Sequence, residues 1–198
     1  MIRCATKLFA KEDVHNRHSL ERTLPDHPRG TDPAVYVLLL KQDDPKKCTA
    51  AKIARFGLAK PLFRIRQIPR GAIVLNPFAY EILLPKDGRL LQENGLVAVD
   101  CSWEKVQGAF ARRTRGEPRK LPTLLAANPV NYAKKHKLSS VEALAATLIM
   151  TGFRENAVRL LGLFKWGETF LTMNNQPLQS YSSASTSAEM SNAEAQYF

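Results

Sequence analysis

Apolar residues along this chain come in short, dense runs separated by polar turns, with no single long amphipathic stripe. The first run, Ala34-Val35-Tyr36-Val37-Leu38-Leu39-Leu40, is β-branched and aliphatic and has the length of a strand. Asp43-Asp44-Pro45 then turns the chain, and Thr49 to Leu58 reads as a helix. Short strands are expected at Phe63 to Ile68 and at Ala72 to Leu75. Pro85 suits the first turn of a short helix, where its missing amide costs nothing, and Gly95 is placed to end it. Leu96-Val97-Ala98-Val99-Asp100 is the clearest buried strand, and a helix is expected directly after it, from Trp103 to about Arg113. An extended segment follows at Leu121 to Ala127. Ser139-x-x-Glu142 is a capping box, in which each side chain satisfies a free amide of the other's turn, and it opens a helix from Val141 to Met150. A last helical stretch, Arg154 to Thr172, carries Leu160, Leu161, Leu163 and Phe164. Strands alternating with helices place the chain in the α/β class.

The two ends read differently. Residues 1–33 are polar and hold Pro25, Pro28 and Pro33, the pattern of a leader with little regular structure. From Ser180 onward the sequence Ser-Tyr-Ser-Ser-Ala-Ser-Thr-Ser is low in complexity, and residues 180–198 are expected to be a disordered tail. No internal repeat is visible.

Charge changes the picture more than composition does. Lys and Arg outnumber Asp and Glu by 29 to 18, a formal charge of +11, which favours a polyanionic partner because each neutralised phosphate releases counterions. Three widely spaced cysteines, Cys4, Cys48 and Cys101, form no C-x-x-C pair and support neither a zinc site nor a disulfide framework. His15, His18, His27 and His136 do not cluster at ligand spacing, so no metal is expected. Arg3 and Lys7 interrupt the first residues before a signal-peptide core develops, and no apolar run approaches the ~20 residues that cross a bilayer. The expectation is a cytoplasmic, monomeric protein that does not enter membranes.

The common catalytic signatures are missing: no G-x-G-x-x-G after a strand, no P-loop, no G-x-S-x-G and no H-E-x-x-H. What stands out instead is a set of turns at strand ends. These are Asp44-Pro45-Lys46-Lys47-Cys48-Thr49, Val74-Leu75-Asn76-Pro77-Phe78, Val99-Asp100-Cys101-Ser102-Trp103 and Leu121-Pro122-Thr123-Leu124-Leu125-Ala126-Ala127-Asn128-Pro129-Val130-Asn131-Tyr132. Together they resemble the signature of the small-subunit rRNA aminocarboxypropyltransferase family over residues 34–173. The chain departs from that pattern where Gln42-Asp43 stands for His-Cys, and where Ala50, Ala51 and Ala133 stand for frequent glycines.

The resemblance implies an N-terminal α/β lobe, residues 34–116, and a C-terminal lobe, residues 117–179, similar to the SPOUT methyltransferases and closed by a trefoil knot. It implies transfer of the aminocarboxypropyl group of S-adenosylmethionine to N3 of a methylated pseudouridine in small-subunit rRNA, with release of methylthioadenosine. Matched residue by residue, the backbone carbonyl of Val99 would meet the ribose, and the backbones of Leu121 and His136 would read the adenine. Leu75, Pro77, Trp103, Leu138 and Ala143 would form apolar walls, although Leu75, Leu138 and Ala143, taken alone, read first as plain core. Thr49 and Ser140 sit at helix starts, as caps or as donors to the carboxylate of the transferred arm. Asp100 could balance the sulfonium, take the N3 proton, or cap the next helix. RNA contact is expected from Lys46, Lys47, Lys52, Arg55, Arg112, Arg113, Arg115 and Arg159, extended by Arg119, Lys120, Lys134, Lys135 and Lys137. No aromatic ladder for stacking on single strands is visible. Two other readings remain: an RNA methyltransferase of SPOUT type, and a non-catalytic ribosome-assembly factor.

Overall fold

In the computed structural model, residues 32–40, 48–100 and 115–198 are described. Five strands form one sheet: β1 (Val35–Leu39), β2 (Lys60–Leu62), β3 (Ile73–Leu75), β4 (Leu96–Asp100) and β5 (Glu117–Arg119), in the order β2-β1-β4-β3-β5. Every neighbouring pair is parallel, with Val35 beside Leu96, Leu39 beside Asp100, and Leu75 between Ala98 and Arg119. A parallel sheet is covered on both faces, which is why β1 and β4 read as continuous apolar runs without polar alternation. Alternate residues still separate. Val35, Val37, Ile73, Leu75, Leu96 and Ala98 face the main core, while Leu38, Val74 and Val97 face a smaller cluster with Leu62 and Ile68.

The described helices are α1 (Thr49–Arg55), α2 (Gly88–Asn94), α3 (Ser140–Met150), α4 (Arg154–Leu161), α5 (Gly167–Met173), α6 (Asn175–Ser183) and α7 (Ser187–Ala195). Helix α3 is the central one. Its residues Val141, Glu142 and Leu144 through Met150 are all buried, and it packs against β4, α1, α4 and α6. No described helix is long and apolar enough to cross a membrane.

Gly95 ends α2 as expected, at φ +92°, and a Cβ there would stand 2.7 Å from the Tyr36 ring. Several expected elements are shorter or broken. Helix α1 stops at Arg55 because Gly57, at φ +73°, turns the chain into β2. The strand expected at Phe63 to Ile68 is instead Lys60–Leu62 followed by a 3₁₀ turn, Ile65–Gln67. Gln67 closes that turn by accepting from the amides of Phe63 (2.8 Å) and Arg64 (2.9 Å). The single helix expected over Arg154 to Thr172 is split into α4 and α5. Gly167 lies so close to the Leu161 carbonyl that a Cβ would sit 2.2 Å from its oxygen, so the chain folds back there.

The expected disorder of residues 180–198 is overturned, since α6 and α7 occupy most of that stretch. Tyr181 and Met190 are fully buried and Ala184 and Ala193 nearly so, enough anchors to dock a serine-rich segment. Ser182, Ser183 and Ser191 satisfy their hydroxyls by donating back to carbonyls one turn earlier, Ser182 to Leu178 at 2.7 Å. Residues 1–31 of the expected leader lie outside the described residues, and Pro33 is buried. Strand β5 pairs with β3, and the main core runs from Val35 to Ala193, so both sheet and core continue across the expected boundary at 116/117.

Candidate active site at the carboxyl edge of the sheet

From β1 the chain leaves through α1 toward β2 on one side, whereas from β4 it goes to β5 on the other. Strands β1 and β4 are adjacent, so their carboxyl ends form the switch point at which open α/β sheets bind ligands. Asp100, the last residue of β4, stands there. Its Oδ2 accepts from Cys48 Sγ at 3.0 Å and its Oδ1 from Ser140 Oγ at 3.1 Å. One carboxylate thus ties the start of α1 to the start of α3.

The cap of α1 is shifted by one residue from expectation: Cys48, not Thr49, caps it, its Sγ accepting from the Ala51 amide at 3.1 Å. The expected capping box of Ser139 and Glu142 is present at α3, so Ser140 is not the cap there. Thr49 and Ser140 are the first helical residues, and the Thr49 hydroxyl makes no hydrogen bond to another described residue. Burial, and then the hydrogen bond to Asp100, push the Cys48 thiol up to about 12. Cys48 is therefore a protonated donor and not a nucleophile.

The segment from Leu121 to Asn128 runs beside this site and is held by side chains from three helices and from the junction between α5 and α6. Glu142 of α3, fully buried, accepts from the amides of Ala127 (2.7 Å) and Asn128 (3.0 Å). Asn174, where α5 meets α6, takes the Leu125 amide at 2.8 Å and donates to the Leu125 carbonyl at 2.9 Å, as a neighbouring strand would. Tyr181 of α6 donates to the Thr123 carbonyl at 3.0 Å, and Glu194 of α7 accepts from the Thr123 amide at 2.6 Å. Sequence reasoning missed Cys48, Asn174, Tyr181 and Glu194. Only Glu142 carried a signal, its place in the capping box.

Of the expected apolar walls, Leu75 is buried, and Leu121, Leu138 and Ala143 are partly buried against the main core. Pro77 is exposed. Val99 packs on the smaller cluster. Exposed His136, at φ +55°, faces the Leu121–Asn128 segment, its Nε2 3.4 Å from Thr123 Oγ1. Trp103 lies outside the described residues.

The expected RNA contacts are not brought together. Lys46, Lys47, Arg112 and Arg113 lie outside the described residues. Lys52 is occupied inside the fold: its Nζ donates to the Leu163 carbonyl at 2.7 Å and lies 4.5 Å from the Phe164 ring centre. Arg119 is paired with Glu81 at 2.9 Å and Asp87 at 3.3 Å, its side chain only 12 % exposed. Arg55 ends α1, Arg115 precedes β5, and Arg159 pairs with Asp32 just before β1, so all three belong to the amino edge of the sheet. Cations on the carboxyl edge include Lys86, Lys120 and the run Lys134, Lys135 and Lys137, with Lys135 also donating to the Phe198 carbonyl at 3.0 Å.

Comparison with known proteins agrees with this geometry. Residues 73–198, more than half of the chain, match the family described as ribosome biogenesis protein, C-terminal. Residues 34–65 match a possible Fer4-like domain in RNase L inhibitor. That segment contains one cysteine, Cys48, and no histidine, too few ligands for an iron–sulfur cluster. The 16S rRNA aminocarboxypropyltransferase of Methanosarcina mazei is 41 % identical over 85 % of this chain and 97 % of its own length. That of Methanopyrus kandleri is 47 % identical over 79 % and 93 %. The solved structure of the SAM-dependent rRNA:acp-transferase Tsr3 from Vulcanisaeta distributa superposes with a TM-score of 0.75 at 37 % identity, covering 83 % of this chain and 95 % of that one. The chain belongs to the 16S rRNA aminocarboxypropyltransferase family.

Proposed function

We propose that this protein is an S-adenosylmethionine-dependent rRNA aminocarboxypropyltransferase acting in ribosome biogenesis. The acceptor would be N3 of a methylated pseudouridine in small-subunit rRNA or a pre-ribosomal particle, and methylthioadenosine would be released. The observation that carries the reading is the convergence of Asp100, Cys48 and Ser140 at the β1/β4 switch point, in a chain of this family. The donor supplies a sulfonium that makes the methylene of its aminocarboxypropyl arm electrophilic; a bond from N3 to that carbon forms as the carbon–sulfur bond breaks.

The residues present fit such a donor. The Asp100 carboxylate suits a sulfonium or the departing N3 proton, and the Thr49 hydroxyl, which bonds to no other described residue, and the Ser140 backbone amide suit the carboxylate of the arm. The carbonyl of Val99 and the backbones of Leu121 and His136 would hold the nucleoside, between Leu75, Pro77, Trp103, Leu138 and Ala143. The protein's main contribution would be positioning, which can supply roughly 7–11 kcal/mol of a barrier. The cations that meet RNA phosphates would include Lys46, Lys47, Arg112 and Arg113, joined by those of the carboxyl edge. The finer fold reading, a SPOUT-like lobe over residues 117–179 with a trefoil knot, belongs to the same proposal and rests on the family resemblance. So do a monomeric state and a cytoplasmic place of action.

Incubation of the protein with small-subunit rRNA and donor labelled separately in its methyl and carboxyl groups tests the reading. Carboxyl label should enter RNA while methylthioadenosine accumulates. Entry of methyl label, with release of S-adenosylhomocysteine, would replace it with a SPOUT-type methyltransferase. No transfer would leave an assembly factor.

A further inference from the structure

Two turns at the carboxyl edge present aromatic rings to solvent although the turns themselves are tightly bonded. After β3, the Asn76 amide donates to the Arg119 carbonyl at 2.9 Å, its Oδ1 accepts from Phe78 at 2.9 Å, and its carbonyl accepts from Ala79 at 3.1 Å. Ala79 is buried, and the turn leaves Phe78 half-exposed and Tyr80 wholly exposed, at 101 %. Ahead of α3, the Asn131 amide donates to Asn128 Oδ1 at 3.1 Å, and Ala133 donates to the Ala126 carbonyl at 2.7 Å from a left-handed φ of +59°. That turn leaves Val130 80 % and Tyr132 58 % exposed. Neither tyrosine hydroxyl bonds to another described residue. Turns set so firmly could carry polar residues at these places at no cost to the fold, so apolar rings held outward there mark a recognition surface.

The position of the turns and the charge around them name the occupant. One turn follows β3, the neighbour of β4; the other leads into α3, whose Ser140 touches Asp100, so each turn is joined to an element of the site. Lys86, Lys120, Lys134 and Lys135 stand on the same edge, and the acidic Glu81 beside Tyr80 is paired with Arg119, which it shares with Asp87. Flat rings among cations suit a partner that is anionic and aromatic at once, which is nucleic acid. Bases locked in a duplex offer no free face, whereas unpaired ones stack on aromatic side chains. A ring nitrogen to be alkylated must in any case leave its stack.

We infer that Tyr80 and Tyr132, on turns that adjoin the donor site, are stacking platforms for unpaired nucleotides next to the modified base. The inference rests on the proposed rRNA reading and adds to it the single-stranded character of the substrate and the residues that select it.

The test uses the full chain, a small-subunit rRNA stem-loop with a pseudouridine in its loop, and a fully paired duplex of equal length. Affinity is read by fluorescence anisotropy for the wild type and for Tyr80→Ala, Tyr132→Ala, Tyr80→Phe and Tyr132→Phe, with donor binding by calorimetry alongside. The wild type should prefer the stem-loop. Each alanine variant should lose roughly 5- to 150-fold of that affinity, with duplex and donor affinity unchanged, and each phenylalanine variant should keep it. Alanine variants that bind the stem-loop like the wild type, or a wild type without preference for it, would overturn the inference. The failure of the proposed function is separate, because it appears as the wrong label transferred by the wild type.

Discussion

Glu142→Gln exchanges one oxygen of a fully buried carboxylate for an amide nitrogen, and the site has no place for a donor. Oε1 accepts from the amides of Ala127 and Asn128 at 2.7 and 3.0 Å. Oε2 accepts from Asn128 Nδ2, Ser139 N and Ser139 Oγ, each at 2.7 Å. If the new NH₂ takes the first position, it faces two backbone amides. If it takes the second, Ser139 Oγ can turn to accept, but Ser139 N is left without a partner and Asn128 Nδ2 keeps only its longer bond to the Lys137 carbonyl, at 3.4 Å. Asn128 cannot flip to help, because its Oδ1 already accepts from Asn131. At least one donor is stranded either way, at about 1–3 kcal/mol, and the new NH₂ also faces the donors around it, so the variant should lose about 2–4 kcal/mol of stability. Ser139→Ala, which removes only the cap, should lose about 1 kcal/mol. Urea unfolding at pH 7, followed by circular dichroism and fitted with a common slope, compares the two. A loss for Glu142→Gln no larger than for Ser139→Ala would refute the argument that this carboxylate holds the Leu121–Asn128 segment to α3.

Thr49→Ala should weaken S-adenosylmethionine binding by roughly 1.5–3 kcal/mol and leave methylthioadenosine binding unchanged. Because Cys48 is the cap, thermal stability should not move, and calorimetry with both ligands checks the difference. Cys48, in a chain with Cys4 and Cys101 changed to Ser, should resist a thiol reagent at pH 8 until the protein unfolds. Its folded pKa is raised from 9.0 to about 12, so its contribution to stability is complete below pH 9 and is lost as pH rises toward 12, which urea midpoints against Cys48→Ala would reveal. Ala133→Gly should be neutral or stabilising by up to about 1 kcal/mol, since glycine relieves the left-handed φ of +59° while adding freedom to the unfolded chain. Ala133→Val should destabilise, and a thermal melt orders the three. Lys52→Ala should lower stability by about 1 kcal/mol, through loss of its bond to Leu163, without changing the salt slope of RNA binding. A true phosphate contact would lower that slope by about 0.7–0.9.

Local order was legible along the chain because it is encoded locally. Short apolar runs between turn residues specified β1, β3 and β4, Pro85 and Gly95 bounded the region of α2, and Ser139-x-x-Glu142 announced α3. The turns around Thr49, Leu75, Asp100 and Leu121 carried the family resemblance, because a site built from strand ends leaves its residues contiguous within each turn. Helix lengths were less legible, since Gly57 and Gly167 end or split helices through close approaches that periodicity does not record.

The order of residues alone was enough for the α/β class, the succession of most elements and the four turns from which the candidate site is built. The tertiary structure decided how those turns meet. Only the fold shows that Asp100 bridges Cys48 and Ser140, residues 52 and 40 positions away, because a hydrogen bond between distant segments leaves no periodic trace in either. Only the fold shows that Lys52 and Arg119 are consumed by internal partners, since a cation in sequence looks the same whether it faces phosphate or a carbonyl. The serine-rich end is the plainest case. Its composition reads as disorder, yet Tyr181 and Met190 find an apolar surface prepared by residues far back in the chain, and burial against that surface orders the helices that hold the Leu121–Asn128 segment in place.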